Sequence, residues 1–244
     1  MDLTKSQVKK AGRTVRRYHR GEATREDYLA ALDVVSAYRA SFSYPLTKVN
    51  NGLRGFLATL AIDAEVTQRL KRMDTIAEKI GVRETSLSLD TVGDIAGCRV
   101  TLKDDSIDDL RRVQAWIDYR WEDSVKHVRD YVESPRSSGY RAVHMLVDRD
   151  GRLVEVQRRT AGMQQWAEIM ESLSQAMGEN FKQDRGDSPA QEFGKVLSLL
   201  YQARDGLYAL TPDDMVRLRR WQEVLGGMLN DSNRGKVSDD AERA

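Results

Sequence analysis

Apolar and polar residues alternate most clearly in the second half of the chain, over residues 141–148 and 152–160. Each run has the period of two that defines a half-buried strand. Asp150-Gly151 stands between them, and glycine supplies the positive φ that a tight hairpin turn requires. Closing the hairpin there pairs Val147 with Val154, Met145 with Val156, Leu146 with Glu155 and His144 with Gln157. Val143, Met145, Val147, Val154 and Val156 then share one face, and His144, Glu155, Gln157 and Arg159 the other. A core on one side and a polar site on the other is the expected result. The turn-rich segment 134–140 just upstream is expected to deliver Arg136 and Tyr140 to the polar face.

The rest of the chain supplies partners for this hairpin. Residues 4–20 predict a helix with Val8, Ala11, Val15 and Tyr18 on its apolar stripe, broken at Gly21. Thr24 and Asp27 form a capping signature that opens a second helix through Ala40. Residues 42–45 read as a break, and a third helix is expected from Leu46. Strands are predicted over 65–70, 93–102 and 121–128, with helices over 73–80 and, capped by Ser106, over 106–117. The fold class is α+β (or α/β), a mixed sheet of about five strands with flanking helices. Further helices are expected over 162–181, 189–203 and 212–229, and a disordered tail over 230–244. The pattern suggests an N-terminal helical region (1–62), a core (63–182), C-terminal helices (183–229) and the tail.

Composition narrows the class. The chain has 244 residues, a net charge of +1 and one cysteine. Its length allows one large domain or a core with helical additions, and a lone cysteine fits a reducing cytoplasm. Neither a membrane span nor a signal peptide is expected. A near-neutral balance means that polyanion binding must come from a local patch. The first helix offers one, because Lys9, Arg13, Arg16 and Arg20 fall along one stripe and Arg17 lies beside it.

Three short motifs carry the chemistry. Arg69-Leu-Lys71-Arg-Met-Asp-Thr75-Ile-Ala-Glu-Lys79 puts cations at a strand-to-helix junction. Asp94-Ile-Ala-Gly97-Cys-Arg99 follows; on a regular strand residues five apart point to opposite faces, so a bulge at Gly97 is one way to bring Asp94 and Arg99 together. The third is Glu155 on the polar hairpin face, downstream of Ser134-Pro-Arg136-Ser-Ser138-Gly-Tyr140-Arg-Ala-Val-His144. In this order the motifs resemble the RelA/SpoT synthetase domain, most closely the toxic small alarmone synthetases of toxin–antitoxin modules. Ser138 replaces a common asparagine of that family, and Arg158 a usual aliphatic residue.

The resemblance implies an ATP pyrophosphokinase with a nucleotidyltransferase-like core. It implies that Lys71 and Lys79 contact the ATP phosphates, that Arg69 and Arg99 wall the adenine, and that Asp94 holds Mg2+. Glu155 would be a second Mg2+ ligand, or would receive the proton of the attacking hydroxyl. Tyr140 would stack on the acceptor, with Arg136, His144 and Gln157 as further substrate-side residues. For the acceptor, the basic first helix favours the 3′ end of tRNA, with an antitoxin as a further partner; the alternative is GDP or GTP. A reading of another class is a catalytically silent nucleotide- or RNA-binding regulator.

Overall fold

Residues 3–177 and 188–241 are described by the structure, a computed structural model. The first helix, α1 (Lys5–His19), opens with reciprocal bonds between Thr4 and Gln7 and buries Val8, Ala11 and Val15. Tyr18 completes the stripe by stacking on Tyr28, with ring centroids 4.1 Å apart. Gly21 takes φ 76° where the chain turns. Thr24 and Asp27 then cap α2 (Arg25–Ala40) in both directions. The third helix, α3 (Ser43–Leu60), starts earlier than expected and absorbs the predicted break. Pro45 lies in its first turn, where a missing N–H leaves no helical bond unmade.

Five strands form one sheet: β1 (Ala64–Leu70), β2 (Ala96–Leu102), β3 (Val125–Asp130), β4 (Val143–Arg149) and β5 (Arg152–Arg159). Their order is β1-β2-β5-β4-β3. The hairpin turns at Asp150 and Gly151, with φ 53° and 73°. Two positive φ values in succession belong to a two-residue turn whose twist matches the strands. Val143, Met145, Val147, Val154 and Val156 are all buried, while His144, Glu155 and Gln157 are half-buried. Arg158 follows the same alternation onto the apolar side and is fully buried.

Three boundaries around the sheet also differ from the sequence expectation. The second strand begins at Ala96, leaving Gly93 and Asp94 in the preceding turn. The third begins at Val125, because residues 122–124 form a short 3-10 turn. Helix α4 (Met73–Glu78) gives way to a single π turn over Lys79–Arg83. Gly81 in that turn abuts the His19 ring so closely that a Cβ would sit 2.3 Å from its Cδ2.

The chain divides into two compact units rather than at the expected boundaries. One comprises residues 1–100, 112–128 and 144–157, so α1–α3 belong with the strands. The reason is contact: α3 packs on β1, and α1 packs on the π turn. The other comprises 101–111, 129–143 and 158–244. Its core joins Tyr140 and Ala142 to Trp166 and Met170 of α6 (Ala161–Met177), Phe193 and Tyr201 of α7 (Pro189–Arg204), and Leu218 of α8 (Pro212–Ala241). The remaining helix, α5 (Ile107–Arg120), is capped by Ser106, whose Oγ accepts from the Asp109 N–H at 3.1 Å. Residues 178–181 of the predicted sixth helix, and 242–244 of the predicted tail, lie outside the described residues. Residues 230–241, expected to be disordered, continue α8. Extending an existing helix adds a hydrogen bond for each residue fixed and needs no new nucleus.

Candidate active site

The junction between β1 and α4 carries the first cations. Lys71 follows the end of β1, and its N–H donates to the Ile95 carbonyl at 2.8 Å. That bond draws the turn before β2 against the junction and brings Asp94 to the two lysines. Lys71 Nζ donates to Asp94 Oδ2 at 2.7 Å. Lys79 Nζ reaches Oδ1 at 3.0 Å and Oδ2 at 2.9 Å, and Glu84 lies 3.5 Å from the same ammonium. Burial works against the ionised carboxylate of Asp94, but the hydrogen bonds and charges of Lys71 and Lys79 prevail and hold its pKa below the usual range.

A second carboxylate stands on β5. Glu155 Oε1 is 3.0 Å from His144 Nδ1, and Oε2 accepts from Gln157 Nε2 at 2.7 Å. Burial pushes its pKa up and so does the charge of Asp94; His144 and Gln157 overcome both, leaving the pKa lowered. β5 lies beside β2 in the sheet, so Glu155 stands on the strand next to the one that the Asp94 turn enters.

No bulge is needed to gather this set. Burial alternates without interruption along β2, and a Cβ on Gly97 would meet only the Glu155 carbonyl, at an ordinary 3.6 Å. Because Asp94 lies in the turn, strand parity does not govern its direction. Arg99 falls on the half-exposed side of β2, and Arg69 is exposed on β1, on the side opposite buried Val66. Arg69, Lys71, Lys79, Asp94, Arg99, His144, Glu155 and Gln157 all belong to the first compact unit.

The remaining expected residues are placed differently. Tyr140 is buried rather than presented on a polar face. Its ring packs edge-on against Tyr131 and Trp166, and its hydroxyl accepts from Arg159 Nη2 at 2.8 Å. The cause is Gly139, held at φ 89° with its Cα so close to α7 that a Cβ would be 2.8 Å from Ser198 Cβ. Arg136 is half-buried, donates to the Tyr131 hydroxyl at 3.0 Å and lies 4.7 Å over that ring. Tyr131 is a contact that the sequence pattern did not single out.

On α1 the basic stripe is partly occupied within the chain. Arg16 donates to the Leu87 carbonyl at 2.7 Å, Arg17 to the Glu22 carbonyl at 2.7 Å, and Lys9 lies 3.8 Å from Asp90. Arg13 and Arg20 are exposed. Burial, followed by repulsion from Arg20 and Arg13, lowers the pKa of Arg16.

Among the described residues no three His, Cys, Asp or Glu side chains form a metal-binding group. Two carboxylates nevertheless suit Mg2+, which takes few protein ligands and fills its shell with phosphate oxygens and water. No described helix is long and apolar enough to cross a membrane.

The sheet and its flanking helices have the fold of the small alarmone synthetases. The structure of small alarmone synthetase 1 from Bacillus subtilis bound to its product pppGpp superposes with a TM-score of 0.59 at 25% identity, covering 75% of this chain and 95% of that one. A GTP pyrophosphokinase family protein from Streptococcus pneumoniae gives 0.56 at 23% identity, covering 80% and 96%. Residues 68–176 match the family described as the region found in RelA / SpoT proteins. GTP pyrophosphokinase YjbM of Bacillus subtilis (strain 168) is 34% identical over 118 residues, 45% of this chain and 55% of that one. The bifunctional (p)ppGpp synthase/hydrolase SpoT of Escherichia coli (strain K12) is 29% identical over 143 residues, 58% of this chain and 20% of that one. The match therefore spans little more than half of the first enzyme's own length and a fifth of the second's.

Proposed function

We propose that the chain is a pyrophosphokinase that moves the β,γ-pyrophosphate of ATP to the 3′-hydroxyl of GDP or GTP. The observation that carries this reading is the cluster of Lys71 and Lys79 on Asp94, within the stretch that matches the RelA/SpoT region. The relatives with a stated guanosine-nucleotide activity or product support the acceptor. The tRNA expectation rested on a free basic face of α1, and Arg16, Arg17 and Lys9 are engaged within the chain. The antitoxin partner came only with the resemblance to the toxic small alarmone synthetases.

In the proposed reaction the acceptor's 3′-oxygen attacks the β-phosphorus in line. The new O–Pβ bond forms as the bond from Pβ to the α,β-bridging oxygen breaks; AMP departs with that oxygen, and the hydroxyl's proton passes to solvent water. Such chemistry needs alignment and charge neutralisation more than covalent catalysis. Lys71 and Lys79 bind the donor phosphates, and Arg69 and Arg99 flank its base. Asp94 and Glu155 would hold Mg2+, which supplies charge neutralisation on the transferring group. A lowered pKa suits Glu155 better as a metal ligand than as a strong base. His144 and Gln157 keep it ionised and oriented.

The test is incubation of the full chain with γ-labelled ATP, Mg2+ and a mixture of GDP, GTP and deacylated tRNA. Label in a guanosine nucleotide, with AMP formed in equal amount, is expected. Label in tRNA alone would replace this reading with the RNA-modifying one. Nucleotide binding without label transfer would favour a silent regulator.

A further inference from the structure

The donor lysine Lys71 sits on a short, irregular stretch that needs support from elsewhere. It lies between the end of β1 and the start of α4, and the N-cap of α4, Arg72, makes no side-chain capping bond. Lys71 Nζ is committed to Asp94 and its N–H to Ile95. Its carbonyl accepts from Arg39 Nε of α2 at 2.6 Å. That bond spans 32 residues of sequence, and nothing in the donor motif points to it.

Arg39 is held on a rigid element. Ala31, Val35 and Tyr38 of α2 are buried, and Tyr38 packs edge-on against Phe42 with centroids 5.1 Å apart. The guanidinium is therefore a fixed donor aimed at one peptide plane, and a charged donor strengthens the bond. The segment that carries Lys79 is braced in the same manner. His19 of α1 abuts Gly81, and Arg16 of α1 donates to the Leu87 carbonyl. The helices preceding the sheet thus grip the donor loop through its backbone.

We propose that Arg39 is a positioning residue for the donor nucleotide: it fixes the Lys71 peptide, and so the direction from which the Lys71 ammonium meets phosphate. This rests on the donor role given above to Lys71. Removing the bond frees a backbone plane at a site where displacements of an ångström are costly. The effect should fall on ATP and not on the acceptor.

Three substitutions separate the explanations. Arg39→Met keeps the packed stem and removes the donor. Arg39→Lys keeps charge and a donor; Arg39→Gln keeps a donor without charge. ATP affinity is measured by equilibrium dialysis, KM for ATP and for the acceptor by label transfer, and stability by thermal melting. Arg39→Met is expected to weaken ATP binding and raise the KM for ATP about tenfold, with the acceptor KM unchanged and melting still well above the assay temperature. Lys and Gln are expected to keep most of the affinity.

Parent-like ATP binding by Arg39→Met would overturn the proposal. So would rescue by Lys but not Gln, which would make Arg39 a remote charge, or a fall in melting temperature with ATP affinity intact, which would make it structural only. Because dialysis reads ATP directly, a parent that binds ATP but transfers nothing would sink the pyrophosphokinase reading and leave this one open to its own result. A parent that binds no ATP would overturn both.

Discussion

Lys79 Nζ reaches both oxygens of Asp94, at 3.0 and 2.9 Å, while Lys71 donates to one of them at 2.7 Å. One carboxylate thus holds two ammonium groups at a half-buried junction. Asp94→Asn is expected to reduce transfer at least a hundredfold, the order seen when a single electrostatic partner of a reacting group is removed. The substitution changes little volume, so the circular dichroism spectrum should stay near the parent's, while the melting temperature at neutral pH falls by the ion-pair contribution that is lost. Turnover within a few-fold of the parent's would remove Asp94 from the reaction.

The same carboxylate governs acid stability. Its folded-state pKa lies below the unfolded value of about 3.9. Its contribution is therefore present in full above that value and is lost as pH falls through the lower folded one. Melting followed from pH 7 down through pH 4 and below should show a shallower acid loss in Asp94→Asn than in the parent. Parallel curves would mean that the lysine pair contributes no linked stability.

His144 sets the ionisation of Glu155. Burial and the Asp94 charge raise the Glu155 pKa, and the ring and Gln157 bring it down. His144→Phe removes the larger of the two opposing partners. The acid limb of the transfer rate should then move to higher pH, with the alkaline side unaffected. An unmoved acid limb would show that the 3.0 Å contact does not tune the carboxylate.

Tyr140 is packed as a core residue. Tyr140→Ala should cost about 3–5 kcal/mol in denaturant unfolding, as buried aromatic truncations do. Tyr140→Phe keeps the packing and loses the bond from Arg159, a cost of about 1–3 kcal/mol for a charged donor left behind. An alanine variant as stable as the parent, but deficient in acceptor use, would instead make the ring a stacking platform.

The basic face of α1 divides into two halves. Arg13 and Arg20 are exposed, whereas Arg16 holds the Leu87 carbonyl. Replacing Arg13 and Arg20 with Glu should leave transfer to GDP or GTP within about twofold, since surface changes of this kind seldom propagate. Arg16→Glu should raise the KM for ATP by loosening the donor loop. Equal defects in both, or loss of tRNA labelling in the first, would point back to a nucleic-acid role.

Much of this architecture is legible in local pattern. The hairpin follows from period-two alternation and from Asp150-Gly151, because both signals act between neighbours in sequence and determine register together. The capping bonds of Thr24 and Ser106 are legible for the same reason. The half-exposed side of β5 that carries Glu155 also follows from period alone. What only the tertiary structure decided was where the side chains at chain irregularities go. Asp94 meets the lysines because it lies in a turn pulled in by the Lys71–Ile95 bond, and no strand rule describes a turn. Tyr140 is buried because Gly139 passes close to α7, an approach that depends on a helix about fifty residues away. Arg39 and Arg16 look like ordinary surface cations on amphipathic helices. Their partners are main-chain carbonyls at Lys71 and Leu87, and a backbone acceptor, being common to every residue, leaves no mark in the sequence.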